Sequence, residues 1–328
     1  MRWRRGFLLV LLVFALRLPV GAQEVQLNVV ATTTILADVA QNVGGDLVNI
    51  TPLLPPDTDT HAYEPTADDA VRVARADMLL TVGAGYEVFL SGLLENVGGG
   101  VKTVEVSRGL ELLGFVDHEA DDRNTPVSDA ALDCEGHEYE EEGEDHHEGE
   151  CDPHIWMNPQ NVVGWVHNIV EAFSDADPSN ADTYRANGDV YIAQLEALDA
   201  EIEQMVAEIP EGRRILVTHH AFMGYFAERY GFEVVATILP GSWTGGEVDP
   251  QSLAELIALV QEVRVPAIFT ETSANPQIAE VLAQESGVAV VTSLYSESLG
   301  GEDSPASTYI DLMRYNARTI ADALSAPE

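Results

Sequence analysis

Basic residues are scarce in this chain. Sixteen lysines and arginines face 55 aspartates and glutamates across 328 residues, which leaves a formal net charge of −39. A surface of that sign repels nucleic acid and anionic lipid and favours cations, so no nucleic-acid partner is expected. Cysteine is scarcer still. Only Cys134 and Cys151 occur, and their separation lacks the close C-x2–4-C pairing of zinc-finger sites. No H-E-x-x-H is present, which removes the helix-borne zinc protease arrangement. Beyond the N-terminus, no stretch is apolar enough for long enough to cross a bilayer.

What is present begins with the first 22 residues, MRWRRGFLLVLLVFALRLPVGA. A basic start, an apolar stretch over 7–16 and a small-residue end at Val20, Gly21 and Ala22 read as a secretory signal peptide cleaved before Gln23. The apolar run is too short for a retained span, and Arg17 and Pro19 interrupt it. No cysteine follows the cleavage point, so a lipid anchor of the bacterial lipoprotein type is not indicated. Export places the mature chain in a periplasmic or extracellular, oxidising compartment. There Cys134 and Cys151 are expected to pair, closing a loop of about 18 residues worth ~3 kcal/mol on the chain-entropy model. The alternative is that both thiols bind metal.

From residue 27 onward, strand and helix patterns alternate. Strands are predicted at 27–32, 47–54, 77–83 and 102–106, then at 214–218, 232–238, 267–270 and 288–292, with helical stretches between them and a last helix near 307–324. Such alternation predicts an α/β fold of mainly parallel sheets flanked by helices. Between the two sets of strands, Tyr191, Leu195, Leu198, Ile202, Met205 and Ile209 recur at spacings of three and four. That is the apolar stripe of one long helix, about 45 Å in length at 1.5 Å per residue. The expected organisation is a signal peptide (1–22), an N-terminal lobe (23–176), a rigid linker helix (177–210) and a C-terminal lobe (211–328).

The rhythm breaks at 116–151, where CEGHEYEEEGEDHHEGEC carries three histidines and nine carboxylates. Setting those carboxylates aside still leaves a net charge of −30, so acidity pervades the molecule. The segment is too polar to pack. His137, His146 and His147 would give weak, exchangeable cation sites, and the negative field would raise the local cation concentration. The competing reading is a solvated insertion.

Ligands of open α/β sheets sit at the carboxyl ends of strands. By that rule His61, His219, Glu271 and Glu297 stand out, with His154 in DPHIWMNP just past the acidic loop. His118 and His167 read as surface residues, and His220 as a helix-start residue facing elsewhere. Glu271 could instead interact with the N-terminus of the helix that follows it.

The stretches HAYEPTADD, DPHIWMNPQNV, THHAFMGYFAERYG and SPASTYIDLMRYN resemble the signatures of the zinc- and manganese-binding solute-binding proteins of ABC importers, and do so in order over about 27–324. The resemblance implies two lobes, a rigid linking helix and a metal buried between the lobes. Carried over, it implies His61, His154 and His219 as ligands. The fourth, an aspartate in many members, matches Glu297 in Glu297-Ser298-Leu299, with Glu271 or a water as substitute. Zinc members of that family often carry a His- and acid-rich loop beside the second ligand, and the reading favoured for this one is that it collects or senses zinc and hands it to His154 and its partners.

Three imidazoles and one carboxylate suit Zn2+, while Mn2+ favours more oxygen. Four protein ligands close the coordination sphere, which argues for carriage of the ion and against catalysis. Together with this chemistry, the resemblance implies a non-enzymatic function: a monomer that captures Zn2+ and delivers it to a membrane permease with its ATPase. Mn2+ cargo is the near alternative, an adhesion or interaction protein of the same fold a more distant one, and a secreted zinc hydrolase more distant still.

Overall fold

The computed structural model describes residues 26–114 (except 57, 59 and 62), 151–239 and 248–325 (except 273 and 276). The signal peptide, Cys134 and the loop histidines His118, His137, His146 and His147 lie outside the described residues. The pairing expected of Cys134 with Cys151 falls outside them for the same reason.

Two four-stranded sheets form, both wholly parallel. In the first the order is β2-β1-β3-β4, with β1 Leu27–Ala31, β2 Val48–Pro52, β3 Met78–Thr81 and β4 Lys102–Glu105. In the second it is β6-β5-β7-β8, with β5 Ile215–Thr218, β6 Glu233–Thr237, β7 Ala267–Glu271 and β8 Ala289–Leu294. Each sheet starts from its second position and reverses direction of winding at its first strand, so each has a crevice at the carboxyl ends of its central strands. All four residues of β3 and all five of β7 are buried, as expected of strands covered on both faces.

Local chemistry sets the helix ends. Helix α1 (Thr34–Gly44) starts where the Thr33 side chain accepts from the Leu36 N–H. Helix α2 (Ala67–Arg75) opens with a capping box between Thr66 and Asp69, which satisfies two end groups at once. Helix α3 (Leu90–Val97) follows β3, and α4 (Pro159–Ala176) has Asn158 as its cap and Pro159 in its first turn. In the second lobe α6 (Gly224–Tyr230), α7 (Pro250–Val263) and α8 (Gln277–Ser286) separate the strands, and α9 (Tyr309–Ser325) closes the chain.

The long helix is α5, Ala181–Ala207, of 27 residues. It starts after a short 3-10 turn, Pro178–Asn180, because proline suits a helix entry but lacks the donor a helix interior needs. Tyr184, Tyr191, Leu195, Leu198 and Ile202 bury one face of it. At Gly188 a Cβ would come within 2.7 Å of a Val170 methyl, so glycine is what lets α4 and α5 approach. Asp199, also on the buried face, accepts from Gln160 of α4 (2.8 Å) and from Arg229 (2.5 Å) and Tyr230 (2.9 Å) of α6. One carboxylate of the connector thus holds both lobes.

The main core runs through both lobes without a break. Val29, Leu36 and Trp165 of the first lobe, Leu195 and Ile202 of α5, and Phe226, Leu312 and Ile320 of the second belong to one buried cluster. Two smaller clusters cover the outer faces of the sheets, around Leu79 and Leu93 in the first lobe and around Ile268 and Leu282 in the second. Among the described residues, no helix is long and apolar enough to cross a membrane.

Candidate metal centre

His61 lies in the loop between β2 and α2. That loop extends the sheet for two residues, as Leu53 and Leu54 donate to Ala31 and Thr32 carbonyls. The loop is then pinned by the Tyr63 hydroxyl on Asp69 at 2.6 Å. His154 follows a single antiparallel bridge between Gly114 and Cys151. Its backbone N–H donates to Asp152 Oδ1 at 2.9 Å, and its ring Nδ1 lies 2.7 Å from the same oxygen. The Tyr225 hydroxyl holds this turn by donating to the Asp152 carbonyl (2.9 Å) and accepting from Leu113 N (3.0 Å). A Cβ at Gly224, the first residue of α6, would fall 2.5 Å from Asp152 Oδ2. Glycine there makes room for the carboxylate that orients His154.

The second lobe supplies the rest. β5 ends at Thr218, whose hydroxyl caps the turn by donating to the His220 carbonyl at 2.7 Å. His220 projects into the interlobe space, with its Nδ1 2.9 Å from Glu271 Oε2 and 3.0 Å from Oε1 at the end of β7. Glu297 comes from the segment after β8. That segment is tied to the first lobe where the Trp156 indole donates to the Ser296 carbonyl (2.9 Å) and Leu299 N donates to Thr34 Oγ1 (2.8 Å).

These elements bring His61, His154, His220 and Glu297 together, one ligand atom from each lying within 4.8 Å of all the others. Glu297 Oε1 is 3.1 Å from His154 Nε2, 3.2 Å from His220 Nε2 and 3.7 Å from His61 Nε2. The His154 and His220 Nε2 atoms are 3.3 Å apart. Where Nδ1 faces a carboxylate it keeps its proton, so Nε2 is the atom that offers a lone pair to the common centre once its own proton is displaced. His154 and His220 are wholly buried, while His61 stands at the rim with its side chain 9% exposed.

The electrostatics call for positive charge at this point. Burial disfavours a charged imidazole at His220, but Glu271 and Glu297 outweigh it and hold the pKa up at about 10. At His154 burial likewise works against the charge, and Asp152 and Glu297 raise the pKa nonetheless. Burial pushes the Glu297 carboxyl upward, but His61 and His154 bring it well below its ordinary range. Protons on the imidazoles answer this demand in the metal-free protein. A divalent cation would answer it by engaging the three Nε2 lone pairs.

Three of the sequence-derived positions, His61, His154 and Glu297, meet here. The fourth member is His220 in place of His219, which corrects the sequence reading. His219 is buried, but its carbonyl extends the sheet by accepting from Leu239 N, and its side chain groups with His220 and Glu271. At the end of a strand a shift of one residue turns a side chain to the other face. The doublet His219-His220 carries no local mark of which member turns inward. Nor does His220 start a helix, since α6 begins at Gly224. Glu271 stands behind His220 as its carboxylate partner. Two further residues escaped the sequence reading. Asp152 was open to detection, since an Asp two residues before a ligand is the pattern of a side-chain-to-backbone turn. Tyr86, which donates to Glu297 Oε2, had no such signal.

The chain matches the family model described as "Zinc-uptake complex component A periplasmic" (ZnuA) over residues 29–323. It is 32% identical to the manganese-binding lipoprotein MntA of Halalkalibacterium halodurans, over 91% of this chain and 89% of that one. It is 30% identical to the iron-binding protein YfeA of Yersinia pestis, over 90% and 85%. Among solved structures, the periplasmic zinc-binding protein TroA from Treponema pallidum superposes with a TM-score of 0.75 at 27% identity, covering 92% of this chain and all of that one. A Mn-bound periplasmic metal-binding protein from Candidatus Liberibacter asiaticus gives 0.74, at 26% identity over 91% and 100%.

Proposed function

Because the chain belongs to the ZnuA family of metal-binding substrate-binding proteins of ABC transporters, we propose that its cargo is Zn2+, captured between the lobes and handed to a membrane permease with its ATPase. The observation that carries this reading is the convergence of three imidazole Nε2 atoms and one carboxylate oxygen on a single buried point. Zn2+ is a borderline ion that accepts nitrogen readily and is satisfied by four ligands in a tetrahedron. Each buried imidazole is oriented by a carboxylate on its far nitrogen, an arrangement that fixes the tautomer and raises the basicity of a metal-bound histidine. Export, expected from the N-terminus, agrees with a family described as periplasmic.

Mn2+ is the second reading, supported by the manganese-binding relative and the Mn-bound solved structure. A competition titration of Zn2+ against Mn2+ on metal-stripped protein separates the two. One tight zinc equivalent that outcompetes manganese is expected. His220→Ala should weaken it by about 100-fold or more, the scale of losing one of four ligands, and His219→Ala by far less. Preference for manganese would reassign the cargo. Binding indifferent to His220→Ala would remove the site itself.

A further inference from the structure

Glu297 has two oxygens, and only one of them faces the three imidazoles. Oε1 makes every approach to Nε2 described above, from 3.1 to 3.7 Å. Oε2 points away and is occupied by the Tyr86 hydroxyl. A phenol has one proton to give, and Tyr86 Oη also lies 2.9 Å from Thr60 Oγ1. A carboxylate can only accept, whereas the threonine hydroxyl can do either. The phenol proton therefore goes to Glu297 Oε2, and Thr60 donates to the phenol oxygen.

Tyr86 also has nowhere else to go. It is 1% exposed, and its ring meets Trp156 at 5.0 Å, His61 at 5.7 Å and His154 at 6.3 Å between centroids, each close to perpendicular. Thr60, at 3% exposure, is equally enclosed.

We propose that Tyr86 is a positioning residue that holds Glu297 to one-oxygen coordination and so sets the preference of the site among divalent cations. The inference rests on the interlobe metal reading. With Oε2 engaged, the site offers three nitrogens and one oxygen, a four-coordinate set that satisfies Zn2+. Mn2+ is better served by more oxygen ligands and a larger coordination number. The nearest additional oxygen for it is Oε2, and Tyr86 withholds that atom. Selectivity in this scheme comes from an oxygen kept out of reach, a form of discrimination against the competing ion.

The test uses the metal-stripped exported chain, loaded with Zn2+, Mn2+ and, as a spectroscopic probe, Co2+. Four-coordinate Co2+ absorbs visible light far more strongly than its five- or six-coordinate forms. Wild type is expected to give the strong spectrum and to prefer zinc. Tyr86→Phe keeps the ring and removes the hydroxyl. It should weaken the Co2+ absorption and narrow the zinc-over-manganese ratio by about ten-fold, the scale of one hydrogen bond to a charged group. Thr60→Val should move both readouts the same way by less, and Thr60→Ser should restore them. These shifts separate the role from mere packing, which would lower affinity for every metal alike. A one-to-one metal complex of Tyr86→Phe with unchanged spectrum and unchanged ratio would overturn the proposal. If Tyr86→Phe does not fold, an unchanged spectrum and ratio in Thr60→Val does so instead. Wild-type protein that shows no His220-dependent equivalent would overturn the metal reading itself, a failure visible before any Tyr86 variant is made.

Discussion

In the first lobe, His154 is fixed by its neighbours in the chain. Asp152, two residues before it, takes both its backbone N–H and its ring Nδ1, and a 3-10 turn at Ile155–Met157 follows directly. In the second lobe, His220 leans on Glu271, 51 residues away, and Glu297 on Tyr86, 211 residues away. One half of the site is braced by local turns and the other half by tertiary contacts. Loops of the first kind are shaped chiefly by their own sequence, with the Tyr225 hydroxyl of the second lobe added at the Asp152 carbonyl. Those of the second hold only when the sheets and the interlobe packing are in place.

Removing charge from each brace should expose that contrast. Glu271 sets both oxygens against His220 Nδ1, and its Oε2 also accepts from the Ser296 hydroxyl at 3.1 Å, so Glu271→Gln turns an amide NH2 toward one of these N–H or O–H donors. Metal affinity measured by competition is expected to fall about 10- to 100-fold, as for other carboxylates behind metal-bound histidines. Asp152 engages His154 through one oxygen alone, which the amide carbonyl of Asp152→Asn reproduces. The loss there should be smaller, about ten-fold, the low end of that range. Equal losses would dissolve the distinction between local and distant bracing.

Protons sharpen it next. In the metal-free protein His154 and His220 are held above their ordinary pKa, His220 at about 10, and a cation must displace what they carry. Affinity should therefore weaken as pH falls, by about ten-fold per pH unit for each proton displaced. Titration calorimetry in buffers of different ionisation enthalpy counts those protons directly. At least one released per cation at about pH 7.5 is expected, and none would contradict the charge state described.

The smallest effect concerns a contact between lobes. Asp38 of α1 accepts from Tyr309 N of α9 at 3.0 Å. Burial, partly offset by that bond, raises its carboxyl to about 6. A carboxyl raised in the folded state contributes stability that is complete below the unfolded value and lost as pH rises through about 6. The metal-free protein should lose about 2 °C of melting temperature from this group between about pH 5 and 7.5. Asp38→Asn should abolish that part of the pH dependence, as read by thermal melts of both proteins at the two pH values.

The same divide decides what could be read in advance. Every described strand falls where apolar runs bounded by turn residues put it, because burial on both faces leaves a plain signal in β3 and β7. The apolar stripe of α5 was equally legible, since one helix face records its own partner surface. His61 and His154 sit in motifs whose neighbours shape them. Glu297 was singled out without its reason, which lies in Tyr86 and Trp156 of the other lobe. The choice between His219 and His220 failed because it depends on a carboxylate 51 residues on and on where one strand stops. Glu271 was noticed at a strand end, but its pairing with His220 is a fact of sheet order, and β5 and β7 are adjacent only once the sheet forms.

The segment between β8 and α9 has a consequence in the order of assembly. Leu299 bonds to Thr34, and the Tyr309 hydroxyl donates to the Trp156 carbonyl at 2.6 Å. The strap carrying Glu297 comes 143 residues after His154 in the chain, and the bonds it makes reach back to the first lobe. The cargo site is complete only when nearly the last helix has docked on the first. A chain cut short before that helix could gather histidines around an ion, but it would lack the clasp that distinguishes a finished carrier from a partly folded one.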